Sequence, residues 1–388
     1  MYNVVIMHED KCSKVLLTTG KVYYKHYISC KYKPINMALV RYGLQFLTRK
    51  GLQLSLFSQH FHVASVSCQT ERKYEEIKVP VPWGHVEGKW WGPQDKRPIL
   101  CVHGWQESCG SFDPIMQLLP EDIGFLAIDM PGHGYSSRYP QGIYYHGIDS
   151  QILLRRLQKY FGWSKLSFMS HSMGAALSFL SACLYPDDVD LLVQFDILKP
   201  FSARPGTTIQ STVKNIERFL QYDKLNEAST HPPTYTYEEL VKKMIAGTRN
   251  SLTPRNAKYV LNRIVSRSDT DPSKYYFTRD SRLKVGTLVG FQHDDLLEYA
   301  KRIKCPMLFI KAADGPYFEN KQNYDDVVQV LETHNKCFQH ASVPGTHHVH
   351  INNPERVAPL VLDFFDKYYA STDRTAPSLN QDIVLRRQ

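Results

Sequence analysis

The ten residues Lys165-Leu166-Ser167-Phe168-Met169-Ser170-His171-Ser172-Met173-Gly174 decide the fold of this 388-residue chain. An apolar run stops abruptly at small–x–Ser–x–Gly, and helix-forming residues follow at once from Ala175 to Cys183. A serine between small residues at a strand-to-helix turn has the pattern of a nucleophile elbow. There the backbone bends so tightly that its neighbours cannot carry bulk, and the hydroxyl is lifted above the sheet edge. The competing reading is a serine that caps the helix behind it.

Working outward, the length suits one large α/β domain with an insertion, or two ordinary domains. No apolar run approaches the roughly 18 residues that a bilayer span requires. The eight cysteines run from Cys12 to Cys337 without a C-x-x-C pair or metal-ligand spacing. Thiols placed this way point to a reducing, intracellular setting and not to a disulfide framework, with Cys101 and Cys305 as small core hydrophobes.

The formal charge of +9 is unevenly shared. Residues 1–70 hold nine Lys/Arg against two Asp/Glu, while the remaining 318 residues hold 38 against 36. The body of the protein is therefore close to neutral, which argues against a nucleic-acid partner. From Lys11 to Thr70 there is no acidic residue, and the stretch from Met37 mixes Arg, Ser and Leu at helical spacing. That composition fits a mitochondrial presequence ending near Ser67, with Met37 as an alternative start. A basic leader without an address, leaving the protein cytoplasmic or peroxisomal, fits equally well.

Folded structure is expected from Tyr74, with Tyr74–Val81 and His85–Trp91 as an antiparallel hairpin. Short apolar runs at Pro98–Val102, Gly124–Asp129, Leu166–Met169, Leu191–Phe195 and Pro306–Ile310 read as strands buried on both faces. Amphipathic stretches such as Ile148–Phe161 lie between them, which predicts a mostly parallel sheet covered by helices on both sides. The alternation stops at 201–285, where three helical patterns follow one another: Ile209–Leu220, Tyr237–Ile245 and one opening at Thr253-Pro254. Such a block, inserted between the core segments 74–200 and 286–370, reads as a lid over the carboxyl edge of the sheet, where ligands bind. A helix over Pro354–Tyr369 closes the domain, and the tail 371–388 is expected to be disordered.

Three motifs occur in order: Leu100-Cys101-Val102-His103-Gly104-Trp105, then Asp129-Met130-Pro131-Gly132-His133-Gly134-Tyr135-Ser136, then the Ser172 elbow. In order and spacing they resemble the α/β-hydrolase family over residues 75 to 370. The H-G-W-Q-E-S opening, the S-H-S-M-G elbow and the late P-G-T-H-H-V-H run are most similar to its serine hydrolase-like (Kraken-type) branch. One departure stands out: Ser170 takes the first elbow position, where glycine is usual, and its hydroxyl could compete with Ser172 for hydrogen bonds.

The resemblance implies Ser172 as nucleophile, with backbone amides of Met173 and Trp105 forming an oxyanion hole. The base is expected at His347, seven residues before Pro354, with His348 as the alternative. For the acid it implies Asp314, after the Pro306–Ile310 strand, with Asp196 and Glu319 as alternatives. His103 and Asp129 are expected to anchor loops. The implied activity is hydrolysis of a carboxylic ester, thioester or amide of a small molecule, with no metal or organic cofactor. Lid aromatics Phe201, Phe219, Tyr222 and Tyr235 would favour an apolar acyl or aryl group. Acyl transfer, carbon–carbon hydrolysis, or a silent binding protein on the same scaffold remain as alternatives.

Overall fold

A computed structural model describes residues 72–204, 206–226, 232–288, 290–372 and 374–377 with side chains, and 2–9, 12–19, 22–27, 227 and 384–387 as backbone alone. The chain divides into two units, Met1–Cys68 and Gln69–Gln388. In the first, strands β1 (Tyr2–Glu9), β2 (Cys12–Thr19) and β3 (Val22–Tyr27) pair antiparallel in that order. The candidate presequence from Met37 to Ser67 lies outside the described residues.

The second unit is built on a nine-stranded sheet in the order β13-β12-β9-β8-β6-β7-β5-β4-β14. The expected hairpin is present as β4 (Tyr74–Val81) and β5 (Gly84–Trp91), in register from Tyr74↔Trp91 to Val81↔Gly84. Next come β6 (Ile99–Val102), β7 (Phe125–Ile128), β8 (Leu166–His171) and β9 (Val189–Phe195), and, beyond an insertion, β12 (Met307–Ala312) and β13 (Phe338–Val343). These six pair in parallel, and β5, β4 and β14 (Val384–Arg387) extend the sheet antiparallel. Residues β6, β7 and β8 are buried throughout, as strands covered on both faces must be.

Side-chain alternation sends Leu100, Val102 and Phe168 to one apolar cluster, and Ile99, Cys101 and Met169 to the other. The first cluster is closed by helices α1 (Gly147–Tyr160), α2 (Met173–Leu184), α6 (His293–Ala300) and α7 (Lys321–His334). The second is closed by the short helical turns of Cys109–Met116 and by α8 (Pro354–Tyr368). Each fully buried Leu, Val, Ile or Phe contributes about 1.5–3 kcal/mol, so two such clusters hold the sheet rigid. The expectation of a disordered tail does not extend to Val384–Arg387, which pairs with β4 and covers an otherwise open sheet edge.

Between β9 and β12 the insertion contains α3 (Thr208–Glu227), α4 (Tyr237–Gly247) and α5 (Ala257–Ile264). A short hairpin of β10 (Val265–Arg267) and β11 (Tyr275–Phe277), which the helical periodicity had hidden, follows. Thr236 and Glu239 form a reciprocal capping box that starts α4. Leu240, Met244, Val260, Leu261 and Ile264 of α4 and α5 pack in a small third cluster that Ile351 joins from outside the insertion. The apolar face of α3 behaves differently, since Ile209, Val213, Ile216 and Leu220 are all exposed.

One arginine ties the insertion to the sheet. From α5, Arg263 donates through Nε to Asp129 Oδ2 at 2.9 Å and through Nη1 to Glu76 Oε1 at 2.5 Å. All three side chains are withdrawn from water, so the two carboxylates depend on this guanidinium. Among the described residues, no helix is long and apolar enough to cross a membrane.

Candidate active site

The chain reverses direction of growth at β6: it passes to β7 on one side and returns to β8 on the other. Crevices at such switch points, beyond the carboxyl ends of the strands, are where α/β sheets hold ligands. The loop after β6 and the loop after β8 meet there. Ser172 occupies the turn between β8 and α2 with φ 51° and ψ −116°, a conformation that a non-glycine residue adopts only when its surroundings enforce it. Gly174 is one enforcer, because a Cβ there would lie 2.0 Å from the Val102 carbonyl oxygen. Its amide instead donates to the His103 carbonyl at 3.1 Å, drawing α2 against the β6 loop. Ser170 is fully buried and its Oγ has no hydrogen-bond partner among the described residues, so it does not compete for Ser172.

Ser172 Oγ lies 2.8 Å from Nε2 of His347. On the far side of that ring, Nδ1 lies 2.5 Å from Asp196 Oδ2. A carboxylate can only accept, so Nδ1 carries the proton, and Nε2 accepts from the serine hydroxyl. Burial brings the His347 imidazole down to about 4, against the opposing pull of Asp196. Burial alone would raise the Asp196 carboxyl, but His347 and Lys311 together hold it below its ordinary value.

Asp314, the first-choice acid, is thereby displaced from the position at the imidazole. It is exposed, and its backbone amide donates to the Gly345 carbonyl at 2.9 Å. The carboxylate that meets His347 is the alternative from the end of β9. Asp196 has φ 64° and is pinned through Oδ1 by Lys311 Nζ at 2.5 Å and the Ala312 amide at 3.0 Å. Gly315 leaves it room, since a Cβ there would come within 2.3 Å of Oδ1. Glu319 is engaged elsewhere, with Oε1 2.5 Å from Lys199 Nζ and Oε2 accepting from the Ser202 amide at 2.9 Å.

His348 faces away from the serine. Its Nδ1 meets Ser251 Oγ of the insertion at 2.7 Å, and its Nε2 lies 3.3 Å from Glu107 Oε1. His103 accepts the Met130 amide at Nε2 and donates from Nδ1 to the Gly104 carbonyl, with burial holding it neutral. Asp129 takes the amides of Cys109 and Tyr135 besides Arg263, which fixes the mouth of the crevice. Met173 is the first residue of α2, where a backbone N–H has no acceptor within the helix. Trp105 lies on the loop after β6 and is 45% exposed.

Of the aromatics expected to line a lid, Phe201 stands near the site: it packs on Phe318, whose ring meets His347 edge-on at 5.3 Å. Tyr235 joins Phe277 in the insertion's own packing, Phe219 joins Tyr144, and the Tyr222 ring lies against Arg218 and Lys284. Sequence reasoning missed Lys311, Phe318 and Glu107. A lysine inside the apolar run Met307–Ala312 was the available signal for the first. Glu107 lies in the H-G-W-Q-E-S run, which marked the branch without giving this carboxylate a role, and Phe318 lies on a loop with no distinguishing pattern.

Residues 97–354 match the family model described as the α/β-hydrolase fold. The chain is 38% identical over 295 residues to a "Probable serine hydrolase" of Drosophila melanogaster, a match spanning 76% of this chain and 88% of that protein. It is 33% identical over 296 residues to a "Serine hydrolase-like protein" of Danio rerio, spanning 76% and 89%. A solved structure of a hypothetical protein from Pseudomonas aeruginosa superposes with a TM-score of 0.65 at 24% identity, over 76% of this chain and 99% of that one, a likeness of fold. The chain belongs to the α/β-hydrolase family, within its serine hydrolase-like branch.

Proposed function

We propose that this hydrolase cleaves a carboxylic ester, with thioesters and amides as chemical neighbours, through an acyl-enzyme on Ser172. The observation that carries the proposal is the continuous line from Ser172 Oγ through His347 to Asp196, with separations of 2.8 and 2.5 Å. Ser172 attacks the acyl carbon while its proton passes to His347 Nε2, and Asp196 stabilises the imidazolium. The imidazolium then protonates the leaving alcohol. Water, deprotonated by the same nitrogen, releases the carboxylic acid and restores the serine.

Negative charge on the carbonyl oxygen is met by the amides of Met173 and Trp105. Helices α3 to α5 act as the lid, a reading supported by the bonds of Ser251 to His348 and of Gln106 Nε2 to the Leu283 carbonyl at 3.2 Å. Phe318 and Phe201 supply an apolar wall beside His347, which favours a small-molecule substrate with an apolar acyl or aryl group. The test is turnover of p-nitrophenyl esters of increasing chain length by wild type and Ser172→Ala. Turnover abolished in the variant supports the reading, whereas equal turnover by both proteins refutes it.

A further inference from the structure

We propose that Glu107, His171 and His350 form a binding site for a divalent transition metal of the zinc type, directly behind the nucleophile, and that its occupancy inhibits the enzyme. Each residue offers one ligand atom, and the three atoms lie within 4.8 Å of one another. Zinc held tetrahedrally by imidazole and carboxylate at about 2.0–2.2 Å would draw the ligand atoms to roughly 3.4 Å from one another, so the side chains must close by up to about 1.4 Å on binding.

His350 is the most telling member. It is fully buried, and neither ring nitrogen has a hydrogen-bond partner among the described residues. A buried polar group left unpaired is costly, and coordination would satisfy one of its two nitrogens. The ring is held in place by stacking on Phe195 at 5.4 Å and by Phe112 at 5.7 Å.

Outer partners are already in place for two of the three ligands, His171 and Glu107. His171 Nε2 donates to the His347 carbonyl at 2.9 Å, and a metal-bound imidazole usually gives its second N–H to just such a carbonyl. That leaves Nδ1 for the metal. Nδ1 now forms an ion pair with Glu107 Oε1 at 2.9 Å, off the line of a hydrogen bond. Glu107 Oε2 accepts the Gly104 amide at 3.2 Å, which steadies the carboxylate. On binding, the metal takes the Nδ1 lone pair and the proton leaves to solvent. The donor set of two imidazoles and one carboxylate favours zinc, cobalt or nickel over magnesium and calcium, which prefer oxygen.

Inhibition follows from position, and this part rests on the hydrolase reading above. His171 is the residue before Ser172 and also holds the backbone of His347, so drawing its ring toward a metal disturbs both partners of the 2.8 Å contact. All three ligands are buried and Glu107 lies on the Trp105 loop, so the onset of inhibition should be slow.

The test uses the full chain with Co2+ and Zn2+ as probes. Wild type should bind one Co2+ with the visible absorption of a nitrogen-rich site, Zn2+ should displace it, and Mg2+ or Ca2+ should not. Ester turnover should fall with the same Zn2+ dependence. His350→Phe, matched to its aromatic surroundings, should weaken Zn2+ binding by at least the roughly 10–100-fold typical of a lost outer partner, and should relieve inhibition equally. X-ray absorption on the wild-type zinc complex gives an answer even if the variant does not fold: two imidazoles support the site. Absence of Co2+ binding, a complex with a single imidazole, or His350→Phe binding as tightly as wild type would overturn it. Wild type that binds metal yet hydrolyses nothing would refute the hydrolase reading and leave the metal site standing.

Discussion

Asp196, at the end of β9, meets His347 Nδ1 at 2.5 Å, although Asp314 follows the neighbouring strand and looks the better placed acid from sequence. Two constraints bring this about. Lys311 and the Ala312 amide hold one oxygen of Asp196, and Gly315 clears space for the other contacts. Asp196→Asn should therefore lower kcat by on the order of 10³–10⁴-fold, because the amide no longer fixes the imidazole tautomer. Asp314→Asn should leave ester turnover within about twofold of wild type, as surface changes away from such features usually do. Steady-state kinetics on both variants decides between the two carboxylates.

His347 and His348 are adjacent but face opposite ways. His347→Ala should abolish turnover. His348→Ala should retain most turnover yet lose about 1–3 kcal/mol of stability, because Ser251 and Glu107 lose a buried partner. Pairing the kinetic assay with denaturant unfolding separates the two effects, and the reverse pattern would exchange their roles.

The pH profile has a definite sign. His347 must be neutral to take the serine proton, and burial has brought it from 6.5 down to about 4. Turnover governed by this group should persist through pH 5 to 6 and be lost as pH falls through about 4. A half-point near 6.5 in kcat/KM would show that the imidazole titrates as though exposed to water.

Arg263→Met removes the cation between Asp129 and Glu76 and leaves two buried carboxylates without it. Breaking a buried pair in this way costs about 3–5 kcal/mol. Urea unfolding should show a loss of that size, and a change under about 1 kcal/mol would mean that the insertion is held to the sheet by other contacts.

Much of the fold could be read from local pattern. The strands are short apolar runs whose burial on both faces leaves no alternation to misread, and Ser172 is marked by Gly174, which the Val102 carbonyl makes obligatory. The choice of acid could not be read this way, because it depends on Lys311 and Gly315 converging on Asp196 from another strand and loop. Periodicity in Ile209–Leu220 gave a helix with its apolar residues on one side, and in the structure Ile209, Val213, Ile216 and Leu220 of that side are exposed. Hydrophobic spacing reports which residues share a side, not whether anything covers it. The β10–β11 hairpin escaped for a related reason: three-residue strands are too short to establish a period.

The most direct test of the central claim is peptide mapping after treatment with a fluorophosphonate, which phosphonylates a serine only when a neighbouring base activates it. The account predicts one modified site, Ser172, in wild type, greatly slowed modification in His347→Ala, and none in Ser172→Ala. An unmodified wild type, or label on any other serine, would contradict it.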